Sequence, residues 1–165
     1  MLEIYTLGEE ILREKAKRVS QFDDALAILV DAMFETMEAS DGVGLAAPQI
    51  GLGQRLFVVD TRQEEGRFVF INPEIIETSV EQTTYEEGCL SIPQMFSHIT
   101  RPSEVTVQAQ DLKGKPFTVK ASGLLARVIQ HENDHINGVL FIDHMELEAR
   151  EKLIAAYNRQ NKKRD

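Results

Sequence analysis

The clearest chemical signal in the sequence is HENDH at residues 131–135, which follows the pattern HExxH. On a helix, residues four apart are separated by about 6 Å of rise and roughly 40° of rotation, so His131 and His135 would project side by side. Two such imidazoles can hold one metal ion, and Glu132, turned about 100° from His131, would lie close enough to exchange a proton with water there. The pattern therefore predicts a divalent metal site with Glu132 beside it.

The alternative interpretation is a pair of ordinary surface or core histidines. Leu124, Val128, His131 and His135 follow one another at spacings of four, three and four residues, which puts both imidazoles on the helix face expected to be buried. Buried imidazoles need partners for their ring nitrogens, and a metal ion would satisfy one nitrogen of each ring. Burial therefore favours the metal site.

A catalytic tetrahedral site needs a third protein ligand, which spacing alone leaves open between a carboxylate, another histidine and a thiol. Cys89 is the only cysteine and lies in EEGCLSIP, residues 86–93, where a glycine permits close backbone approach and a proline stiffens the chain that follows. A single cysteine is also commonly an inert buried residue. We interpret the other two histidines, His98 and His144, as structural or exposed.

A third segment, GVGLAAPQ at residues 42–49, combines two glycines with two alanines. Small residues let another backbone or an extended ligand approach closely, and the Gln49 amide can both donate and accept hydrogen bonds. The plainer interpretation is a tight connection. A phosphate-binding glycine loop is excluded, because neither GxGxxG nor a following Gly-Lys-Ser/Thr is present.

The elements that must position these segments follow from the hydrophobic pattern. Apolar residues at helical spacing predict helices over 24–40, 122–137 and 146–161. Short runs rich in β-branched and aromatic residues predict strands over 55–60, 68–72, 104–110 and 116–120, and a hairpin turn at 111–114. This order predicts an α+β fold with antiparallel sheets packed around a central HExxH helix, and with N-terminal and C-terminal helices.

Composition predicts one catalytic domain over residues 1–165, because the chain has 42% hydrophobic and 27% charged residues and no linker or repeat. A single cysteine excludes an intramolecular disulfide and fits a reducing compartment. No apolar run approaches a membrane span, and the N-terminus lacks the order of a signal peptide. We therefore expect a cytoplasmic protein with no membrane association.

The charge of the chain limits the kinds of partner that it can bind. The net charge of −9 argues against a general affinity for DNA, which requires a basic face. Residues 150–165 nevertheless hold six basic residues and two acidic ones, a local charge of +4 that leaves −13 on the rest. The predicted C-terminal helix and tail, residues 146–165, are thus electrostatically distinct, and the plainer interpretation is a solvated helix end.

Taken together, GVGLAAPQ, EEGCLS and QHENDH resemble the bacterial-type peptide deformylase family in order and spacing, and the likeness extends from an N-terminal Leu-Arg segment to Asp143. The resemblance implies one ferrous ion held by Cys89, His131 and His135, for which Ni²⁺, Co²⁺ or Zn²⁺ can substitute. It implies Glu132 as the acid/base.

The same resemblance implies an oxyanion hole formed by the Gln49 amide and the backbone N–H of Leu90. It implies that Gly44 lines the substrate groove. The methionine pocket would be built from apolar residues of the groove and the HExxH helix: Val43, Tyr85, Leu124 and Val128.

The implied activity is removal of the formyl group from the N-terminal formylmethionine of nascent polypeptides, with release of formate. In some bacterial members the C-terminal helix docks on ribosomal RNA, which gives the basic tail a second interpretation. Two residues depart from the family: Asn133, where an apolar residue is common, and Phe96, where some members carry an arginine that touches the peptide backbone.

Two other functions fit part of the pattern. An HExxH metalloprotease generally takes a third histidine or glutamate downstream, and it leaves the other two segments unexplained. A structural zinc site has four protein ligands, and no fourth is evident in the sequence. Deformylation is therefore the function that the sequence favours.

Overall fold

The computed structural model describes residues 1–164, with side chains through residue 162. Within this range the α-helices are α1 (Asp24–Ala39), α2 (Gly123–Ile136) and α3 (Leu147–Arg164). The strands are β1 (Gly44–Ala46), β2 (Leu56–Asp60), β3 (Arg67–Thr78), β4 (Gln82–Cys89), β5 (Ile92–Pro102), β6 (Glu104–Gln110) and β7 (Pro116–Ser122). Short 3-10 helices cover Glu10–Arg13, Ala47–Ile50 and Phe141–His144.

The strands form two antiparallel sheets. One has five strands in the order β1-β2-β3-β6-β7, and the other pairs β4 with β5. Every predicted helix and strand is present, and the turn at 111–114 joins β6 to β7 as expected. The predicted α+β class is therefore confirmed.

Strands β1, β4 and β5 are not predicted by hydrophobic alternation. Most residues of β4 are exposed and polar, while β5 contains Pro93 and ends at Pro102, so neither resembles a half-buried strand. The segment GVGLAAPQ is more than a tight connection, because it contains β1 and begins the 3-10 helix at Ala47. Strand β3 also continues to Thr78, well beyond the predicted end at residue 72.

The side chains of β2 alternate between the two faces of the five-stranded sheet, which explains how the sheet packs against a helix on each face. Phe57 and Val59 belong to the core shared with α2, whereas Leu56 and Val58 belong to the core shared with α1. Met33 and Met37 of α1 are buried core residues. Helix α2 is therefore fixed on one face of the large sheet.

A third hydrophobic cluster packs the β4–β5 sheet and α3 against each other and against the 3-10 helix at Phe141–His144. It brings Ile92 and Ile99 of β5 together with Phe141, and with Leu153 and Tyr157 of α3. No helix among residues 1–164 is both long and apolar enough to span a membrane. The side chains of Lys163 and Arg164, and the whole of Asp165, which belong to the predicted basic tail, lie outside the described residues.

Candidate active site

Helix α2 carries both histidines of the HExxH pattern on its buried face. Ser122 stands at the N-cap position, although its hydroxyl makes no capping hydrogen bond, and the helix ends at Asn137 as predicted. The His131 and His135 rings lie with centroids 5.0 Å apart, and both residues are buried. Of the two apolar residues expected on the same face, Val128 is buried, whereas Leu124 is only half-buried.

Cys89 meets the two histidines at the end of β4, where the pairing with β5 is irregular. Its Sγ lies 3.2 Å from His135 Nε2, and one donor atom from each of the three residues lies within 4.8 Å of the others. A tetrahedral ion with bonds of about 2.3 Å to sulfur and about 2.0 Å to nitrogen would hold its donors roughly 3.5 Å apart. The three side chains therefore fit one divalent ion and leave a coordination position for a substrate or water.

A buried carboxylate, Glu87, orients the first histidine ligand. Its Oε1 lies 3.0 Å from His131 Nδ1, and its other bonds come from Arg101 (2.6 and 2.9 Å) and Arg127 (2.7 Å). Arg101 also donates to Asp134 at 2.8 Å. When His131 is neutral, the positive charges of the two arginines balance the negative charges of Glu87 and Asp134. A neutral His131 can then donate Nδ1–H to Glu87 and leave Nε2 available to a metal ion.

The pKa shifts of this cluster agree with its hydrogen bonds. Burial alone would raise the pKa of Glu87, but hydrogen bonds from His131 and Arg101 hold it well below its usual range. Burial would lower the pKa of His131, but hydrogen bonds with Cys89 and Glu87 raise it well above the usual value. Burial and the charge of His131 lower the pKa of His135. A metal ion and a proton therefore compete for His131.

We expect Arg101→Met to lower the free energy of unfolding by about 3–5 kcal/mol, because it leaves a buried carboxylate without its main cation. Arg101 is 5% exposed and bonds Glu87 through two nitrogens. The control is Lys152→Met, which removes an exposed ion pair to Glu148 and should cost less than about 1 kcal/mol. Urea denaturation of both variants with the same bound metal measures the difference, and equal losses would contradict the account.

Glu132 projects from α2 toward β1, beside the ligands. It is buried, its Oε1 has no hydrogen-bond partner among the described residues, and burial raises the pKa of its carboxyl to about 7. Gly44 makes room for it: a Cβ on Gly44 would lie 2.7 Å from Glu132 Oε2 and 2.7 Å from Val128 Cγ1. This carboxyl is thus poised to gain or lose a proton near neutral pH.

We expect Gly44→Ala to lower turnover about 100-fold, because the added methyl group displaces the Glu132 carboxylate and a shift of about 1 Å costs that much. Gly53→Ala is the matched control, since its Cβ would meet only Ile11 Cδ1 at 3.7 Å, an ordinary contact. Steady-state kinetics of both variants at equal metal content measure the effect. Turnover that falls equally in both, or in neither, would show that Gly44 does not define the position of Glu132.

Gln49 links the first two sequence segments, GVGLAAPQ and EEGCLS. Its Oε1 accepts a hydrogen bond from the Ala46 N–H at 2.9 Å, and its Nε2 donates to Ser91 Oγ at 3.1 Å and lies 3.6 Å from Cys89 Sγ. The amide is therefore fixed, with its N–H groups directed toward the ligand cysteine. Leu90, which follows that cysteine, is half-buried.

One cavity of about 540 Å³ contains the predicted groove and opens onto the ligands. Its walls include all of the predicted pocket residues, namely Val43, Gly44, Tyr85, Leu124 and Val128, together with Gln49, Cys89, Leu90, His131 and Glu132. His135 is not among the residues that line the cavity, and only 1% of its surface is exposed. The sequence segments thus converge on one concave site.

Comparison with known proteins decides the family. A family model described as polypeptide deformylase matches residues 1–151. The chain belongs to the polypeptide deformylase family. It is 49% identical over 150 residues to the peptide deformylase of Picosynechococcus sp., covering 89% of this chain and 80% of that protein. It is 46% identical over 159 residues to that of Borreliella burgdorferi, covering 96% of each.

Solved structures of peptide deformylases have the same fold. The enzyme from Legionella pneumophila has a TM-score of 0.94 and 41% identity, covering 99% of this chain and 97% of that one. The Synechococcus elongatus enzyme, solved in complex with actinonin, has a TM-score of 0.89 and 44% identity, covering 97% and 86%. This deformylase is therefore a metal-dependent hydrolase that removes the N-formyl group from nascent polypeptides.

Several polar residues around the site of this deformylase are absent from the predicted set. Glu87, Arg101 and Arg127 form a buried charge cluster that the half-buried Asp134 joins, and His144, interpreted as structural or exposed, lies 2.8 Å from Asp134. A sequence signal exists only for Arg127, which lies four residues before His131 on the buried face of α2. The side-chain oxygen of Asn133 is buried and accepts no hydrogen bond from the described residues.

Proposed function

We propose that this deformylase acts on N-formylmethionyl peptides through one divalent ion held by Cys89, His131 and His135, with Glu132 as the proton carrier. The observation that supports the proposal most directly is the arrangement of these groups. Three donor atoms lie within 4.8 Å of one another, beside a buried carboxyl whose Oε1 has no other partner among the described residues.

Bound there, the ion supplies a Lewis acid that polarises the formyl carbonyl and makes water acidic enough to deprotonate near neutral pH. The protein contributes the proton transfer. Glu132 takes a proton from the attacking water and later gives it to the departing amine, while the bond between the formyl carbon and nitrogen breaks and formate leaves. A carboxyl with a pKa of about 7 suits both transfers.

Two hydrogen-bond donors are proposed to stabilise the oxyanion that develops on the formyl oxygen when water adds to the formyl carbon. They are the Gln49 side-chain amide, held through its Oε1 by Ala46, and the backbone N–H of Leu90. One such donor is typically worth about 3 kcal/mol of the activation barrier. Because the Gln49 amide is already fixed, it loses little freedom in the transition state.

The methionine side chain is proposed to occupy the part of the cavity that faces α2. Val43 and Gly44 would contact it from the β1 side, and Leu124 and Val128 would form its floor. Tyr85 would close the outer end, where its ring lies 5.9 Å from the Arg127 guanidinium. An unbranched apolar side chain suits a pocket walled in this way.

We propose ferrous iron as the native ion and the cytoplasm as the compartment. A Cys/His₂ set accepts Fe²⁺, Co²⁺, Ni²⁺ and Zn²⁺, so the proposal of iron rests on the family resemblance and not on geometry. The thiol ligand must stay reduced, which a reducing compartment provides. Metal analysis of protein purified without oxygen tests the choice, and zinc or nickel in place of iron would overturn it.

The enzymatic test measures formate released from formyl-Met-Ala-Ser by protein loaded anaerobically with Fe²⁺, Ni²⁺ or Zn²⁺. Formate release that stops when the metal is chelated supports the proposal. Cleavage at an internal peptide bond would instead indicate an HExxH protease. A metal-loaded protein that releases no product would indicate a structural metal site, and both of these results would overturn the proposal.

A ribosome contact through the basic C-terminal helix is a second, separate proposal. In α3, Leu153 and Tyr157 are buried, whereas Lys152, Arg159 and Lys162 are exposed and available to RNA phosphates. Truncation would remove part of the core, so charge reversal by Lys152→Glu with Arg159→Glu is the cleaner test. Co-sedimentation with ribosomes at low salt should weaken in this variant, and unchanged binding would overturn the contact.

A further inference from the structure

The cavity lies between two strand edges that have no strand partner in the described part of the chain. β1 is the edge of the five-stranded sheet, and β4 pairs only with β5. Residues 42–44 line one wall of the cavity and residues 85–89 line the other, with α2 below them. An extended peptide placed there can add backbone hydrogen bonds to a free edge. Its formyl end would point toward Cys89.

Side chains of an extended peptide alternate between two faces. The proposed function places the first side chain toward α2. The second therefore points away from α2, toward the outer face of the β4–β5 sheet. On β4, Cys89 and Glu87 point toward the histidines, so Gly88 and its cross-strand partner Phe96 belong to the outer face.

Phe96 occupies that outer face in an unusual way. It is 61% exposed, although it is a large aromatic residue, and it lines the cavity. A Cβ on Gly88 would lie 2.6 Å from Phe96 Cε1 and 2.7 Å from its Cδ1, so the ring lies directly on the Gly88 backbone. The absence of a side chain at Gly88 therefore lets the ring lean across β4 toward its free edge.

We propose that Phe96 determines specificity for the second residue of the substrate and favours aromatic and large apolar side chains over alanine. The proposal rests on the proposed function, because the first side chain must occupy the α2 pocket for the second to face Phe96. An exposed ring that packs on the Gly88 backbone gains contact area from a second aromatic ring placed against it. The expected preference is about three- to tenfold in kcat/KM.

The experiment compares kcat/KM for formyl-Met-Phe-Ser and formyl-Met-Ala-Ser. The wild-type protein should prefer the phenylalanine peptide about three- to tenfold, mainly through KM. Phe96→Ala should bring the ratio to about one while hydrolysis of the alanine peptide continues, and Phe96→Leu should retain part of the preference. Ile76→Ala removes a similarly exposed apolar side chain of β3 outside the cavity, and it should leave the ratio unchanged.

Failure of this inference and failure of the proposed function give different experimental results. A wild-type ratio near one, or a ratio that survives in Phe96→Ala, would overturn this inference and leave the proposed function intact. Failure of the wild-type protein to release formate from either peptide would overturn the proposed function and this inference with it. If Phe96→Ala is inactive on both peptides, the ratio in Phe96→Leu decides, and a ratio equal to wild type overturns the inference.

Discussion

Glu132→Gln is expected to lower turnover by about 10²- to 10⁴-fold while the metal ion stays bound. The amide has nearly the same shape as the carboxylate but cannot accept a proton from water or return it to the amine. Glu132 is buried and its Oε1 has no partner among the described residues, so the substitution removes a costly buried charge. The fold should therefore be at least as stable as wild type.

Three measurements on the same preparation separate this role from a structural one: formate release, bound metal per chain, and urea denaturation. Glu77→Gln, an exposed carboxylate on β3, is the matched control and should retain full activity. Activity of Glu132→Gln within tenfold of wild type at equal metal content would show that another group transfers the proton. Loss of the metal along with activity would indicate that Glu132 supports the ion and not the proton transfer.

Cys89→Ala is expected to abolish metal binding and activity together. The loss of a group that only orients a ligand typically costs 10- to 100-fold in metal affinity, so removing a ligand should cost more than about 100-fold. Cys89 is half-buried at the end of β4, and truncating it opens little space in the hydrophobic core. The variant should therefore fold, which circular dichroism and urea denaturation can establish.

The control for this variant is Ser97→Ala, a small change on β5, in the residue paired with Glu87. It should leave the metal content near one ion per chain. Titration of bound metal against a competing chelator gives the affinity of each protein. If Cys89→Ala keeps wild-type affinity, the thiol is not a ligand and the ion must be held by other groups.

The histidine pair is the part of the site that the sequence predicts best. HExxH spacing and the apolar face of α2 together place two buried imidazoles side by side, and the structure confirms both their proximity and their burial. The cap positions at Ser122 and Asn137 predict both ends of the helix to within one residue. These features are local, so nearby residues are sufficient to specify them.

The β4–β5 sheet could not be predicted in the same way. Five of the eight residues of β4 are exposed and only Glu87 is buried, so no alternation of apolar and polar residues marks the strand. Its position depends on the packing of Ile92 and Ile99 against Phe141 and α3, which joins distant parts of the chain. The resemblance to a known family predicts Cys89 as a ligand, whereas periodicity alone leaves it indistinguishable from a core residue.

The charge cluster behind His131 is the least predictable part of the site. Glu87 bonds partners that are 14, 40 and 44 residues away in the sequence, namely Arg101, Arg127 and His131. Charged residues of this kind are normally assigned to the surface. Only the tertiary fold shows that these are buried and that Glu87 lies within hydrogen-bond distance of the His131 ring.

X-ray absorption spectroscopy of the metal-loaded protein tests the central claim most directly, because it counts the atoms bound to the ion. We predict one sulfur at about 2.3 Å and two imidazole nitrogens at about 2.0–2.1 Å, with a remaining position for an oxygen. A first shell with no sulfur, or with four protein ligands and no oxygen, would contradict the Cys89, His131 and His135 site.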